Sequence, residues 1–225
     1  MGTKFQLKIK NNSKENNISL IVHTPWYLQT CAIIPEIAKA VIKVVKKGII
    51  LATKINADRV TVHPGFREMP RPALSKSYEA LIRNLKEIVK LGKKYGVMIG
   101  LENFDKNPYL MCTEVEDLLK VVNSVEGLKV VFDIGHANTT DLKPIEYFKK
   151  VKDFVIDMHM YDNDGKTDQH VLIGEGNIDF KALLRECKES RYYGPFILEL
   201  FPYENILKGK KRLLELWNQS KKCID

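Results

Sequence analysis

The sequence predicts an α/β fold in which helices cover a parallel β-sheet. Two hydrophobic periodicities alternate along its 225 residues: short, nearly continuous apolar runs, and longer stretches with apolar residues at helical spacing. Continuous runs of Val, Ile, Leu and Phe are typical of strands that are buried on both faces. The two patterns alternate six times with short connections, as in successive βαβ units.

Six runs predict strands, and six stretches predict helices. The predicted strands are 18–23, 59–63, 97–102, 129–133, 154–159 and 196–199. The predicted helices are 35–54, 73–94, 114–122, 144–151, 180–189 and 204–218. Residues 4–10 fit either an exposed strand, because they alternate, or a helix, because Phe5 and Ile9 are four residues apart. The polar run 11–17 is the one interruption of the pattern.

Length and composition favour a single globular domain over residues 1–225. The chain is 44% hydrophobic and 28% charged, which excludes collagenous and strongly disordered classes. Since no apolar run approaches the ~20 residues of a membrane span and the charged start lacks a signal-type apolar region, we expect a soluble, cytoplasmic protein with no membrane partner. Four cysteines, far apart and without a Cys-x-x-Cys pair, are expected to be reduced.

The net charge of +8 allows two interpretations. A basic surface can bind a polyanion such as nucleic acid, or a phosphorylated substrate. The lysine pairs, however, are scattered through the predicted helices rather than clustered. A solvated, lysine-rich surface is therefore the favoured interpretation.

Each predicted strand ends on a side chain that can hold a metal ion or a proton. These residues are His23, His63, Glu102, Asp133, His159 and Glu199. Barrels and open parallel sheets both place their sites at the carboxyl ends of the strands, so these groups are expected to converge there. Ordinary packing would scatter such residues along the chain.

All five histidines fall at this expected edge. His136 lies three residues beyond Asp133, and Asp168 and His170 lie in the loop that follows His159. Histidine and carboxylate ligands without a thiolate suit Zn²⁺, Mn²⁺ or Fe²⁺ better than Mg²⁺. Nine such groups exceed the needs of one cation, so two or three ions are chemically plausible, and a close metal pair suits phosphoester hydrolysis.

The order of motifs resembles the xylose-isomerase-like TIM-barrel superfamily, from about residue 18 to about residue 216. The motifs are His23-Thr24-Pro25-Trp26-Tyr27, His63-Pro64-Gly65, Glu102-Asn103, Asp133-x-x-His136, His159, Asp168-x-His170, Gly174-Glu175-Gly176-Asn177-Ile178 and Ile197-Leu198-Glu199. The superfamily includes sugar-phosphate isomerases and epimerases and endonuclease IV, that is, AP endonuclease family 2. The resemblance implies a parallel (β/α) TIM barrel. Because such barrels typically have about 250 residues, it is expected to be N-terminally short, with one or two strands missing or degenerate.

In the isomerase and epimerase branch, the resemblance implies one Mn²⁺ or similar ion held by Glu102, Asp133, His159 and Glu199. Glu102 and Glu199 would also exchange protons with a metal-bound enediolate of the substrate. The short loop after His136 favours a small pocket for a sugar or sugar phosphate, with Lys166 as a candidate substrate-binding residue. A metal-dependent sugar or sugar-phosphate isomerase or epimerase is therefore the favoured function.

The alternative is zinc-dependent phosphodiester hydrolysis at abasic sites in DNA, a DNA-repair activity. In the endonuclease IV branch, two or three zinc ions would use His23, His63, Glu102, Asp133, His136, His159, Asp168, His170 and Glu199. Trp26 and Tyr27 could stack on a flipped-out nucleotide, and Arg67 and Arg71 could contact phosphates. A third interpretation is an inactive, truncated member of the fold, against which the intact ligand set argues. A homodimer is one way to cover the sheet edge of a short barrel.

Overall fold

Strands and helices alternate in the order that the sequence predicts. The structure is a computed structural model that describes residues 2–67 and 74–220. The chain forms two units, the first comprising Met1–Glu102 and Lys120–Lys129, the second Asn103–Leu119 and Val130–Asp225. Each unit contains parallel strands and the helices that pack on them.

The first unit carries three parallel strands. Its elements are α1 (Thr3–Glu15), β1 (Val22–His23), α2 (Pro35–Ile55), β2 (Arg59–Val62), α3 (Leu74–Tyr95) and β3 (Met98–Glu102). Val60 on β2 pairs with Val22 on β1 and with Ile99 on β3. The carboxyl ends of the three strands therefore lie at one edge of the sheet.

The following elements are α4 (Val115–Ser124), β4 (Leu128–Asp133), α5 (Ile134–Asn138), α6 (Pro144–Val151), a 3₁₀ turn (Lys152–Phe154), β5 (Val155–Met160), α7 (Phe180–Glu189), β6 (Phe196–Leu198) and α8 (Tyr203–Gln219). In the second unit, β5 pairs in parallel with β4 on one side and β6 on the other. The register sets His159 beside Asp133 and beside Ile197. Side chains at the strand ends are thus direct neighbours.

Each buried helix face follows from its apolar spacing. In α2, Val41, Val45 and Ile49 are buried, as the 3.6-residue period requires. The helix begins at Pro35, whose fixed φ suits a first helical position, and ends before Asn56, which adopts the left-handed conformation with φ 61°. In the second unit, the Phe132 ring packs against Tyr147 and Phe148 of α6, and all three are fully buried.

The six strands and six helices predicted from the sequence are confirmed, with ends that differ by a few residues. The first strand is shorter than predicted, since only Val22–His23 pairs. Residues 4–10, which fitted either state, are helical, and α1 continues into the polar run to Glu15 without burying a side chain. The short α5 was not predicted. Residues 68–73 and 221–225 lie outside the described residues, and with them Arg71, Cys223 and the start of the helix predicted at 73.

Two expectations from composition can be compared with the structure. Among the described residues, no helix combines the length and apolar character that a membrane crossing requires. Among the described cysteines, Cys31, Cys112 and Cys187 are buried and form no disulfide.

Candidate functional site

The first triad consists of His23, His63 and Glu102, at the ends of the three strands of the first unit. Nε2 of His63 lies 3.1 Å from Oε2 of Glu102, and Nε2 of His23 lies 3.3 Å from the same oxygen. Each residue offers a ligand atom within 4.8 Å of the other two. Glu102 and His63 are buried, so the ionised carboxylate needs a compensating cation or proton.

Backbone hydrogen bonding orients one imidazole of this triad. Nδ1 of His23 donates to the carbonyl of Thr24 at 2.7 Å. In the neutral tautomer this leaves the lone pair on Nε2, the atom that faces Glu102. A second hydrogen bond of this kind is typical of histidines that ligate metal ions.

The second triad consists of Asp133, His159 and Glu199 in the second unit. Nδ1 of His159 lies 3.2 Å from Oε1 of Glu199 and 3.7 Å from Oδ2 of Asp133. The other oxygen of Asp133, Oδ1, accepts the backbone N–H of His136 at 2.7 Å and so caps the start of α5. The cap holds Asp133 in an orientation that presents Oδ2 to His159.

The third triad consists of His136, Asp168 and His170, also in the second unit. Oδ2 of Asp168 lies 3.6 Å from Nε2 of His136 and 3.2 Å from Nε2 of His170. Nδ1 of His136 donates to the carbonyl of Asn103 at 2.8 Å, and Nδ1 of His170 to the carbonyl of Glu199 at 2.9 Å. Both imidazoles therefore direct Nε2 toward the same carboxylate oxygen.

The donor atoms fit a divalent transition-metal ion. They are imidazole nitrogens and carboxylate oxygens, the set preferred by Zn²⁺ and Mn²⁺. Metal–ligand bonds of 2.0–2.2 Å in a tetrahedron separate neighbouring ligand atoms by about 3.4 Å. Two ligand-atom separations in each triad run from 3.1 to 3.7 Å, around this value, and in the first triad all three ligand atoms lie within 4.8 Å of one another.

The third triad shifts the pKa values of two of its members. Burial opposes ionisation of Asp168, but the hydrogen bonds from His136 and His170 outweigh it and hold the pKa of the carboxyl well below its usual range. Burial likewise lowers the pKa of His170, but the hydrogen bond and charge of Asp168 outweigh it and raise that pKa to about 9. Without a metal ion, His170 and Asp168 therefore form an ion pair at neutral pH.

This ion pair predicts a pH dependence of stability in metal-free protein. The pKa of His170 is about 9 when folded and about 6.5 when unfolded, so its stabilising contribution is complete below pH 6.5 and is lost as the pH rises through 9. The measurement is the free energy of unfolding of chelator-treated protein between pH 6 and 9.5, with His170→Asn as the control. A difference between the two proteins that stays constant with pH would contradict the expectation.

Two residues at the second and third triads were missed from the sequence. Asp157 and Tyr161 lie two residues before and after His159, at alternate positions that share one face of an extended chain. Asp157 is buried, and its Oδ1 lies 3.9 Å from Nε2 of His159. Tyr161 is buried, and its ring stacks on His170. The spacing Asp-x-His-x-Tyr was the signal that could have identified both.

Gly135 in α5 provides the space that Tyr161 occupies. A Cβ atom at Gly135 would lie 2.1 Å from a carbon of the Tyr161 ring. We expect Gly135→Ala to lower the free energy of unfolding by about 1–3 kcal/mol, the usual cost of overpacking. Gly48→Ala in α2 is the control, because its Cβ would meet other atoms only at 3.5 Å or more and alanine favours a helix by up to about 1 kcal/mol. Equal denaturation midpoints for the two variants would contradict this.

The predicted substrate-binding residues lie outside the triads. Trp26 and Tyr27 in the first unit are more than half exposed, and the Trp26 ring lies 6.0 Å from that of Tyr27 and 5.9 Å from that of Phe66. Arg67 is partly buried, and Lys166 in the second unit is exposed. No contact joins these four residues to a triad in the contacts that the structure gives, so their roles stay predictions.

Comparison with known proteins identifies the family. The sequence matches the family model of the xylose isomerase-like TIM barrel over residues 4–220. The chain therefore belongs to the xylose isomerase-like TIM-barrel family, and its α/β fold is of the TIM-barrel type, as predicted. The crystal structure of a D-tagatose 3-epimerase-like protein superposes with a TM-score of 0.92 at 29% identity, covering 97% of this chain and 84% of that one.

Individual relatives fall in both branches of the resemblance. Protein MJ1311 of Methanocaldococcus jannaschii is 32% identical over 212 residues, which cover 90% of this chain and 72% of that protein. Fructoselysine 3-epimerase of Shigella flexneri is 26% identical, covering 69% of this chain and 57% of the enzyme. Probable endonuclease 4 of Mesomycoplasma hyopneumoniae is 26% identical, covering 73% of this chain and 62% of that protein. The chain thus spans less than two thirds of the length of the last two.

Proposed function

We propose that the protein is a divalent-metal-dependent isomerase or epimerase of a sugar or sugar phosphate. The observation that carries this is the second triad, in which Glu199 lies 3.2 Å from an imidazole that itself faces Asp133. A glutamate in that position can both ligate a cation and exchange a proton with a bound substrate. Similarity to a D-tagatose 3-epimerase-like protein and to fructoselysine 3-epimerase supports the same chemistry.

In this mechanism one divalent ion, with Mn²⁺ or Zn²⁺ as the candidates, would be held by the ligand set that the family resemblance implies: Glu102, Asp133, His159 and Glu199. Such an ion acts as a Lewis acid, which makes a proton beside a sugar carbonyl easier to remove. Glu102 removes that proton and Glu199 returns one. His23 and His63 both face Oε2 of Glu102 and hold the carboxylate in a single orientation, which general-base catalysis requires.

The test is a substrate panel. Protein loaded separately with Mn²⁺, Co²⁺ and Zn²⁺ is incubated with ketoses and ketose phosphates, and the products are resolved by chromatography. We expect interconversion of at least one epimeric or aldose–ketose pair, which chelator treatment abolishes and metal restores. Absence of any conversion with all three metals would contradict the proposed reaction.

Abasic-site hydrolysis is the second candidate, and the third triad favours it. His136, Asp168 and His170 present three ligand atoms that a one-metal isomerase does not use. The resemblance to the epimerase branch implies no metal-ligand role for His23, His63, Asp168 or His170. A duplex oligonucleotide with one abasic site distinguishes the two: zinc-dependent cleavage that His170→Ala abolishes would favour the nuclease over the isomerase.

A further inference from the structure

Tyr161 contacts every member of the third triad. Its ring is fully buried and stacks on the His170 ring, with centroids 3.7 Å apart and planes 15° from parallel. Its hydroxyl donates to Oδ1 of Asp168 at 2.5 Å. It also forms a T-shaped contact with the His136 ring, with centroids 6.3 Å apart and planes at 82°. One side chain thus packs on two imidazoles and hydrogen-bonds the carboxylate they face.

The hydroxyl of Tyr161 leaves one oxygen of Asp168 for the imidazoles. Oδ1 accepts the tyrosine O–H, whereas Oδ2 is the atom that lies near Nε2 of His136 and of His170. The backbone carbonyls of Asn103 and Glu199 fix the two imidazoles in the same way, by binding Nδ1. Each of the three ligands is therefore oriented by a hydrogen bond to its other polar atom, an arrangement that raises metal affinity.

Tyr161 stays a hydrogen-bond donor in these surroundings. Oδ1 of Asp168 lies within hydrogen-bond distance of this hydroxyl, and because an ionised carboxylate oxygen can only accept, the phenol O–H is the donor. The absence of a side chain at Gly135 leaves the room that the ring needs.

We propose that Tyr161 is a positioning residue that holds Asp168 as a one-oxygen ligand and so preorganises His136, Asp168 and His170 for a metal ion. The inference rests on the metal dependence proposed above and extends it to a residue outside the predicted ligand set. It requires an ion at the third triad in addition to the one in the proposed isomerase mechanism, and it concerns metal binding and not turnover.

The experiment compares Tyr161→Phe with Tyr147→Phe, each of which removes one buried hydroxyl from the second unit. The Tyr147 hydroxyl has no hydrogen-bond partner within the described residues and lies in α6, outside the triads. Zinc equivalents per chain and zinc dissociation constants are measured by competition with a chromophoric chelator, and unfolding is measured on the metal-free proteins. We expect Tyr161→Phe to raise the dissociation constant of the most weakly bound zinc ion about 10- to 100-fold, the usual effect of losing a hydrogen-bond partner of a metal ligand. Tyr147→Phe should leave this dissociation constant unchanged.

A double-mutant cycle locates the effect. In a His170→Ala background the third triad is already disrupted, so Tyr161→Phe should cause no further loss of affinity for the remaining zinc. An equal loss in both backgrounds, or equal zinc affinity of Tyr161→Phe and Tyr147→Phe, would overturn the role of Tyr161 alone. If the wild-type protein bound no zinc, manganese or cobalt, the proposed metal dependence would fail as well, so the two failures are distinguishable.

Discussion

Glu102→Gln is expected to lower kcat/KM for the sugar substrate by at least about a thousandfold, or about 4 kcal/mol of transition-state stabilisation. Glutamine keeps the size of the side chain but can neither accept the substrate proton nor balance a cation. The substitution removes both the proton acceptor and the negative charge that faces His23 and His63 in the first triad. The measurement is steady-state kinetics with the metal content of the variant determined in parallel.

Glu126→Gln is the matched control for this substitution. Glu126 belongs to the same unit, is almost fully exposed, and forms a 3.5 Å ion pair with Lys93. Exposed ion pairs of this kind contribute at most about 1 kcal/mol, and this one lies away from the triads. Its kcat/KM should equal that of the wild type. If Glu102→Gln kept more than a tenth of wild-type activity, Glu102 could not be the proton-transferring base.

Glu199→Gln and His23→Ala are expected to differ widely in their effects. Glu199→Gln should lower kcat by about 10²–10⁴-fold, because in the proposed mechanism this group returns a proton to the substrate. His23→Ala should cost about tenfold in a one-metal isomerase, the low end of the usual effect of losing a partner of a ligand, because His63 still faces Glu102 and the His23 side chain is 39% exposed.

The same pair of variants separates the two candidate reactions. In a hydrolase with two or three zinc ions, His23 is itself a ligand, and its loss should be as damaging as that of Glu199. Both variants are assayed on the best substrate of the ketose panel and on the abasic oligonucleotide. Equal inactivation of the two variants toward a sugar would rule out the one-metal version of the mechanism.

The composition of the triads could be predicted from the sequence, whereas their internal orientation could not. Strand-end residues such as Asp133 and His159 can be identified from the sequence, because each is the polar residue at which a continuous apolar run ends, and the ends of parallel strands lie at one edge of the sheet. The carbonyls that orient His136 and His170 belong to the backbone of Asn103 and Glu199, and every residue type supplies a carbonyl. The positions of these carbonyls depend on loop conformation, so they cannot be predicted from the types of the residues.

The missed elements have similar physical reasons. The five residues of α5 are too few to show a helical period. Its N-cap, Asp133, gave no separate signal, because the sequence pattern already assigned this residue to the end of a strand. Residues 4–10 satisfied both periods, and the helix that forms there buries no side chain, so no hydrophobic face distinguished the two states. In the sequence, Tyr161 is indistinguishable from an ordinary core aromatic residue, and only the structure shows that its ring stacks on His170. The single domain, the cytoplasmic location and the homodimer stay predictions.

Solvent-deuterium incorporation tests the proposed reaction most directly. Metal-loaded protein is incubated in D₂O with each ketose and ketose phosphate of the panel, and the recovered sugar is examined by NMR and mass spectrometry. Proton transfer through Glu102 and Glu199 predicts deuterium at the carbon next to the carbonyl, in the wild type and not in Glu102→Gln. No incorporation into any sugar by metal-loaded wild-type protein, together with zinc-dependent cleavage of abasic DNA, would contradict the isomerase and establish the hydrolase in its place.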